Sequence, residues 1–326
     1  MHFSLLALLA LAGSPEAPDV GPLVRSLWLV QRHGTAEALN PANDQRVKGV
    51  LSKALAKDGV ITLEELGGLM GPDAFNKLAG ADASLDSAET ARALEAAMPE
   101  SRTKLAPKLR AHADYLATTF DQIDEKHREA GRALARWIAA NYAPGKPFHV
   151  TVVCTGNSRR SILGSSMGNL AAAYYGMPEI RFHSGGTAPT AFNPRTVSAL
   201  KSIGFDVEPT GDEARRGEPK TENPVYRVAW GEGFETLEFS KHYDDATNPQ
   251  RDFAALMVCS EADEGCPFVR GASLRLSMPY LDPKIYDGGA YESAKYAERR
   301  DDIGRFMLSA MVQAQGELAS KGTGGR

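Results

Sequence analysis

From residue 146 onward, short apolar runs alternate with longer stretches of helical period. Apolar-rich runs of strand length stand at 149–153, 180–183, 254–258 and 274–278. Stretches at 161–175, 194–203 and 290–311 separate or follow them with helical patterning. The alternation predicts an α/β domain over 146–318, a parallel four-stranded sheet flanked by helices. Between 208 and 251 the pattern weakens into Pro, Gly and charged residues with short apolar pieces, so this segment is expected as an insertion at the periphery of the sheet. Residues 319–326 read as a disordered tail.

The preceding region, 20–145, is patterned mostly as helices. Residues 119–141 place Phe120, Ile123, His127, Leu134, Trp137 and Ile138 near one face and charges elsewhere, which predicts one amphipathic packing helix. Pro144-Gly145-Lys146-Pro147 then breaks the chain and sets the expected domain boundary. Between 47 and 98 a faint repeat aligns 58–65 with 82–89. Each copy resembles the second half of a calcium-binding EF-hand loop, with an apolar residue at the eighth position (Ile61, Leu85) and Glu65 or Glu89 at the twelfth. Ala54, Ala56, Leu78 and Gly80 occupy first-half positions that need carboxylates, so a helical pair without calcium is expected. Arg32-His33-Gly34 carries a triplet known from histidine phosphatases. That chemistry needs a second basic pair and a large doubly wound domain, and a strand end with a turn suits the surrounding pattern better.

Composition narrows the field. In 326 residues, 43% are apolar and the net charge is −4, so nothing draws the whole molecule toward nucleic acid or an anionic membrane. Any anion site must be made locally. Residues 1–12 are apolar and end in small residues, Ala10 and Ala12, which reads as a secretory signal peptide within 1–19. The run is too short to span a bilayer, where about 20 residues are needed. Its lack of Lys or Arg leaves a buried helix in a cytoplasmic chain as the alternative to a periplasmic or secreted one. The cysteine count of three is odd, so pairing of all of them within one chain is excluded.

Cys154 follows the apolar run 149–153 directly and precedes a helix starting near Ser161, which puts it at the carboxyl edge of the sheet, where open α/β sheets bind ligands. In Cys154-Thr155-Gly156-Asn157-Ser158-Arg159-Arg160-Ser161, Gly156 suits a tight curl that turns backbone N–H groups inward, and Arg160 offers a planar fork to oxygen pairs. Such a nest favours thiolate over thiol. The Cys-x5-Arg-Ser arrangement resembles the low-molecular-weight protein tyrosine phosphatases and their sister group, the thioredoxin-coupled arsenate reductases. The resemblance continues through His183-Ser184-Gly185-Gly186-Thr187 and Asn193-Pro194-Arg195, covering about 148–318. It implies that Thr155 to Arg159 bind the oxyanion, that Ser161 bonds the thiolate and that Asn157 holds a strained backbone. Arg159 departs from the pattern, standing where many members carry a second cysteine; it is expected to add positive field at the mouth.

Cys259-Ser260-Glu261-Ala262-Asp263-Glu264-Gly265-Cys266 is similar to the redox segment of the arsenate reductases. The resemblance implies that Cys154 attacks arsenate, Cys259 then releases arsenite, and Cys266 takes the disulfide, with a thioredoxin-like protein as external reductant and no bound cofactor or metal. A disulfide that merely closes a loop is the alternative for this pair. Leu281-Asp282-Pro283 matches the phosphatases' Asp-Pro loop, implying Asp282 as proton donor, although an aspartate before proline also starts turns; Asp287 is the weaker candidate. Two enzyme readings remain, an arsenate reductase and a hydrolase of phosphate monoesters such as phosphotyrosine, beside a non-catalytic phosphate sensor that the presence of both Cys154 and Arg160 disfavours.

Overall fold

The computed structural model describes residues 60–66, 76, 84–85, 99–117, 119–217, 220–266 and 268–323. The leader at 1–19, the Arg32-His33-Gly34 segment and most of the EF-hand-like repeat lie outside them. Within the repeat, β1 (Ile61–Thr62) leads into α1 (Leu63–Leu66) and pairs antiparallel with β2 (Ser84–Leu85). The register sets Ile61 opposite Leu85, the two eighth positions of the aligned copies.

Residues 100–116 and 122–312 form one compact unit. It begins well before the Pro144–Pro147 break. Helices α2 (Glu100–Thr103), α3 (Pro107–Leu116) and α4 (Glu125–Asn141) belong to it, so the boundary expected at 145/146 is instead a connection inside the unit. An amphipathic helix shows that one face is covered, not by what. The single helix expected over 119–141 also divides: a 3₁₀ turn at Phe120–Gln122 precedes α4, whose N-cap Asp124 accepts the backbone N–H of His127 at 3.0 Å.

The remaining elements are β3 (Phe148–Cys154), α5 (Arg160–Tyr174), β4 (Ile180–Gly186), α6 (Pro194–Lys201), β5 (Asp206–Glu213), β6 (Pro224–Gly231), β7 (Phe234–Glu238), β8 (Phe253–Met257), α7 (Ser260–Gly265), β9 (Ala272–Ser277) and α8 (Glu292–Thr323). A four-stranded parallel sheet has the order β4-β3-β8-β9, as the apolar runs predicted. Val150, Val152 and Val153 of β3 and all of β8 are buried. Helix α5 is buried along its whole length and lies close on β3 and β4 because Gly164 and Gly168 allow it. A Cβ at Gly164 would fall 2.7 Å from a Val152 methyl, and one at Gly168 2.4 Å from the Phe182 ring. Helix α8 runs through Thr323, past the tail boundary expected at 319.

The segment expected as a peripheral insertion is a three-stranded antiparallel sheet, β5-β6-β7. One end, at the β6–β7 turn, is tied to the segment before α3, with Ala106 N–H donating to the Trp230 carbonyl at 3.0 Å and Glu232 N–H to the Lys104 carbonyl at 2.8 Å. Its far end reaches the Cys154 loop. Among the described residues, no helix is long and apolar enough to cross a membrane.

Candidate functional site

The strand order reverses between β3 and β8, which leaves a crevice at their carboxyl ends. Cys154 closes β3 and Cys259 follows β8 as the N-cap of α7. The ladder pairs Val153 with Met257, and the Val258 N–H donates to the Val153 carbonyl at 2.9 Å. Parallel pairing therefore brings both cysteines to the same rim.

Residues 155–159 form the loop between Cys154 and α5. Its carbonyls point outward: Thr155 O accepts Ala188 N–H at 2.9 Å, Gly156 O accepts Thr190 N–H at 3.0 Å and the Ser240 hydroxyl at 2.9 Å, and Ser158 O accepts Asn193 N–H at 3.2 Å. With the carbonyls committed outside, the N–H groups are left for the concave side, the arrangement of an anion nest. The residue that takes the left-handed backbone is Asn157, at φ 40°, rather than Gly156. Its side chain accounts for that conformation, accepting the Lys241 N–H at 2.8 Å and donating to the Ser161 hydroxyl oxygen at 2.9 Å.

Because Asn157 Nδ2 occupies the Ser161 oxygen as a donor, the Ser161 hydroxyl hydrogen is directed to Cys154 Sγ, 3.1 Å away. Both side chains are buried. A hydroxyl donating to sulfur, at the N-terminus of a buried helix, stabilises negative charge there.

Arg160 is buried, and its fork is engaged: Nη1 donates to the Tyr280 carbonyl and Nη2 to Asp282 Oδ2, each at 2.8 Å. The structure thus joins two residues far apart in sequence, the loop arginine and the aspartate of the Asp-Pro segment. Asp282 also starts a turn, its Oδ1 accepting the Lys284 N–H at 3.0 Å, so the turn and site readings of this residue are compatible. Arg159 does not stand free at the mouth as expected. Its Nε donates to the Tyr296 hydroxyl at 2.7 Å, Nη2 lies 3.4 Å from Asp287, and Tyr296 donates to Asp287 at 2.8 Å. Burial, with Asp287 alongside, pushes the Tyr296 hydroxyl up to about 12, so it remains a donor. Asp287 thereby serves Arg159, and the positive field of Arg159 is largely matched.

All three cysteines are free thiols and buried. Cys259 Sγ lies 3.4 Å from the Thr155 hydroxyl, one residue from Cys154. Burial pushes the Cys259 thiol up, against the lowering influence of Thr155. Cys266 caps the other end of α7 and its thiol donates to the Phe268 carbonyl at 3.2 Å. Arg275 of β9 holds this helix: it donates to the Cys266 carbonyl at 3.1 Å, the Asp263 carbonyl at 2.7 Å and the Asp263 carboxylate at 2.6 Å.

Sequence reasoning missed Thr190, Ser240, Lys241, Arg275 and Tyr296. All but Arg275, whose partners lie 9 and 12 positions away, support the site across a long sequence separation, and no local motif marks any of them. No family model and no curated protein matches the chain. Among solved structures, a thioredoxin-dependent arsenate reductase of Corynebacterium glutamicum, Cg_ArsC1', aligns with 65% of this chain and 83% of its own at 18% identity and a TM-score of 0.27, a likeness too slight to bear on activity.

Proposed function

We propose that the chain is an arsenate reductase in which Cys154 is the nucleophile and Cys259 and Cys266 complete a thiol relay. The observation that carries this reading is the contact of Cys259 with Thr155 of the Cys154 loop, 3.4 Å between thiol and hydroxyl. A hydrolase has no need of a second thiol at that place.

Cys154 thiolate attacks arsenic, a sulfur–arsenic bond forms, and an arsenate oxygen leaves as water after protonation, with Asp282 the donor. Loop N–H groups and Arg160 hold the remaining oxygens, with Asp282 giving up part of its hold on the guanidinium. Cys259 thiolate then attacks Cys154 sulfur. The sulfur–sulfur bond forms as the sulfur–arsenic bond breaks, and arsenic keeps the electron pair and departs as arsenite. Cys266 next attacks Cys259, leaving a Cys259–Cys266 disulfide and freeing Cys154. A thioredoxin-like dithiol reduces that disulfide; if the leader directs export, the donor is one of the outer compartment.

A second reading, hydrolysis of phosphate monoesters through a phospho-Cys154 intermediate, draws on the clamp that Arg275 places on α7, which holds Cys266 away from Cys259. The two separate in one experiment. Purified full-length protein is supplied with arsenate, thioredoxin, thioredoxin reductase and NADPH, and in parallel with an aryl phosphate. The relay predicts arsenate-dependent NADPH oxidation that Cys259→Ser abolishes. Aryl phosphate hydrolysis that survives Cys259→Ser, without arsenate turnover in the parent, establishes the hydrolase instead.

A further inference from the structure

A cavity of ≈190 Å³ opens at the N-terminus of α4, and none of residues 154–161 lines it. Its walls include Ile123, His127, Tyr280, Leu281, Arg299 and Asp302. Tyr280 is 7% exposed, and among the described residues its hydroxyl has no partner. The Nε of Arg299 and the Nε2 of His127 are likewise buried without one. A buried donor left so is unfavourable, which applies to the Tyr280 O–H and the Arg299 Nε–H.

The two carboxylates of the cavity are by contrast both engaged. Asp124 takes the His127 backbone N–H through Oδ1 and the His127 ring Nδ1 through Oδ2. Asp302 takes Arg299 at 2.9 Å through one oxygen and Arg305 at 3.0 Å through the other. The donors that remain are the Tyr280 O–H and the Arg299 Nε–H. Burial pushes the Tyr280 hydroxyl well above its usual range, so it stays a donor. The His127 ring stacks on Tyr280 with centroids 4.4 Å apart and planes 14° from parallel, which fixes both groups in place. Unused donors beside an apolar wall describe a site for an acceptor with an apolar body.

We propose that this cavity binds a small organic carboxylate, its oxygens taking the Tyr280 O–H and the Arg299 Nε–H and its apolar body lying against Ile123 and Leu281. About six water volumes fit in the space, enough for a single aromatic or branched acid. The site is separate from the Cys154 loop, and the proposal does not depend on which reaction that loop performs.

The test is calorimetric titration of the full-length protein with benzoate, with inorganic phosphate present throughout to occupy the Cys154 loop. The expected result is saturable binding, with the neutral isostere benzamide at least about tenfold weaker. Tyr280→Phe should weaken benzoate about tenfold, the loss of one hydrogen bond to a charged group. Arg299→Lys, which keeps the charge and removes Nε–H, should weaken it similarly and stands in if near-ultraviolet circular dichroism shows Tyr280→Phe misfolded. Absence of saturable benzoate binding in the presence of phosphate, or equal affinity for benzamide, would overturn the proposal.

Discussion

Replacing Arg275 by Met tests whether α7 is the barrier between Cys259 and Cys266. The two cysteines cap opposite ends of that helix. A separation of seven positions at 1.5 Å rise puts their Cα atoms about 10 Å apart, whereas a disulfide needs them within about 7 Å. Part of α7 must therefore unwind before the bond can form. Arg275 opposes unwinding through its bonds to Asp263 and to the Cys266 carbonyl. The Arg275 and Asp263 side chains are 25% and 23% exposed, so the charge-assisted bonds are only partly screened and contribute about 1–2 kcal/mol. Removing them should speed closure roughly 5–30-fold. The assay is diamide oxidation in a Cys154→Ser background, acid quenching, and mass spectrometry of the alkylated peptide bearing both cysteines. An unchanged closure rate in Arg275→Met would show that the clamp does not govern the approach of the two thiols.

Two further outcomes follow from single groups. His183 is half-buried and within 3.1 Å of His149, and desolvation pushes its ring down to about 3. The unfolded chain then binds the extra proton between about pH 6.5 and pH 3, so stability should fall as pH drops through that window, by about 1.4 kcal/mol per unit from this group; urea midpoints that fall no less steeply in His183→Gln would contradict the assignment. Asp282→Asn keeps an oxygen for the Lys284 N–H but loses the proton and the ion pair with Arg160. Hydrolysis of phenyl phosphate, whose leaving group needs protonation, should drop about 10²–10³-fold while inorganic phosphate inhibits more tightly; unaltered turnover would leave Asp282 a turn residue.

The parallel sheet was legible because apolar-rich runs of strand length alternate with stretches of helical period, and β3, β4, β8 and β9 stand close to where those runs lie; only β8 is buried throughout. β5 was not, since nearly all of it is exposed and its polar sequence looks like an irregular insertion. The same weakness hid the function of that segment. Ser240 and Lys241 meet Gly156 and Asn157 across 84 positions, and only the folded register of two sheets reveals the meeting. The Cys154 loop could be read because its parts are contiguous and each has a local physical reason. Residues 100–145 were assigned to a separate region because Pro144–Pro147 looks like a linker, although Ser101 already bonds the Ala173 carbonyl of α5 at 2.7 Å.

Position 159 shows how one departure from a motif redistributes several tasks. A cysteine there could form a disulfide with Cys154 within the loop; arginine cannot, and its length lets it reach Tyr296 instead. Through Tyr296 and Asp287 it fastens the start of α5 to α8, a connection across 137 positions. Arg195 approaches the same Asp287 at 3.6 Å and Glu292 at 2.7 Å, so α6 joins the tie. The loop mouth is consequently held from outside by an ion-pair network while its interior is held by Asn157 and Ser161. On the proposed chemistry, this leaves Cys259 beside Thr155 as the thiol placed to attack Cys154 sulfur and supply the electron pair that displaces arsenite, and the rigidity around position 159 confines the movement that the relay requires to α7.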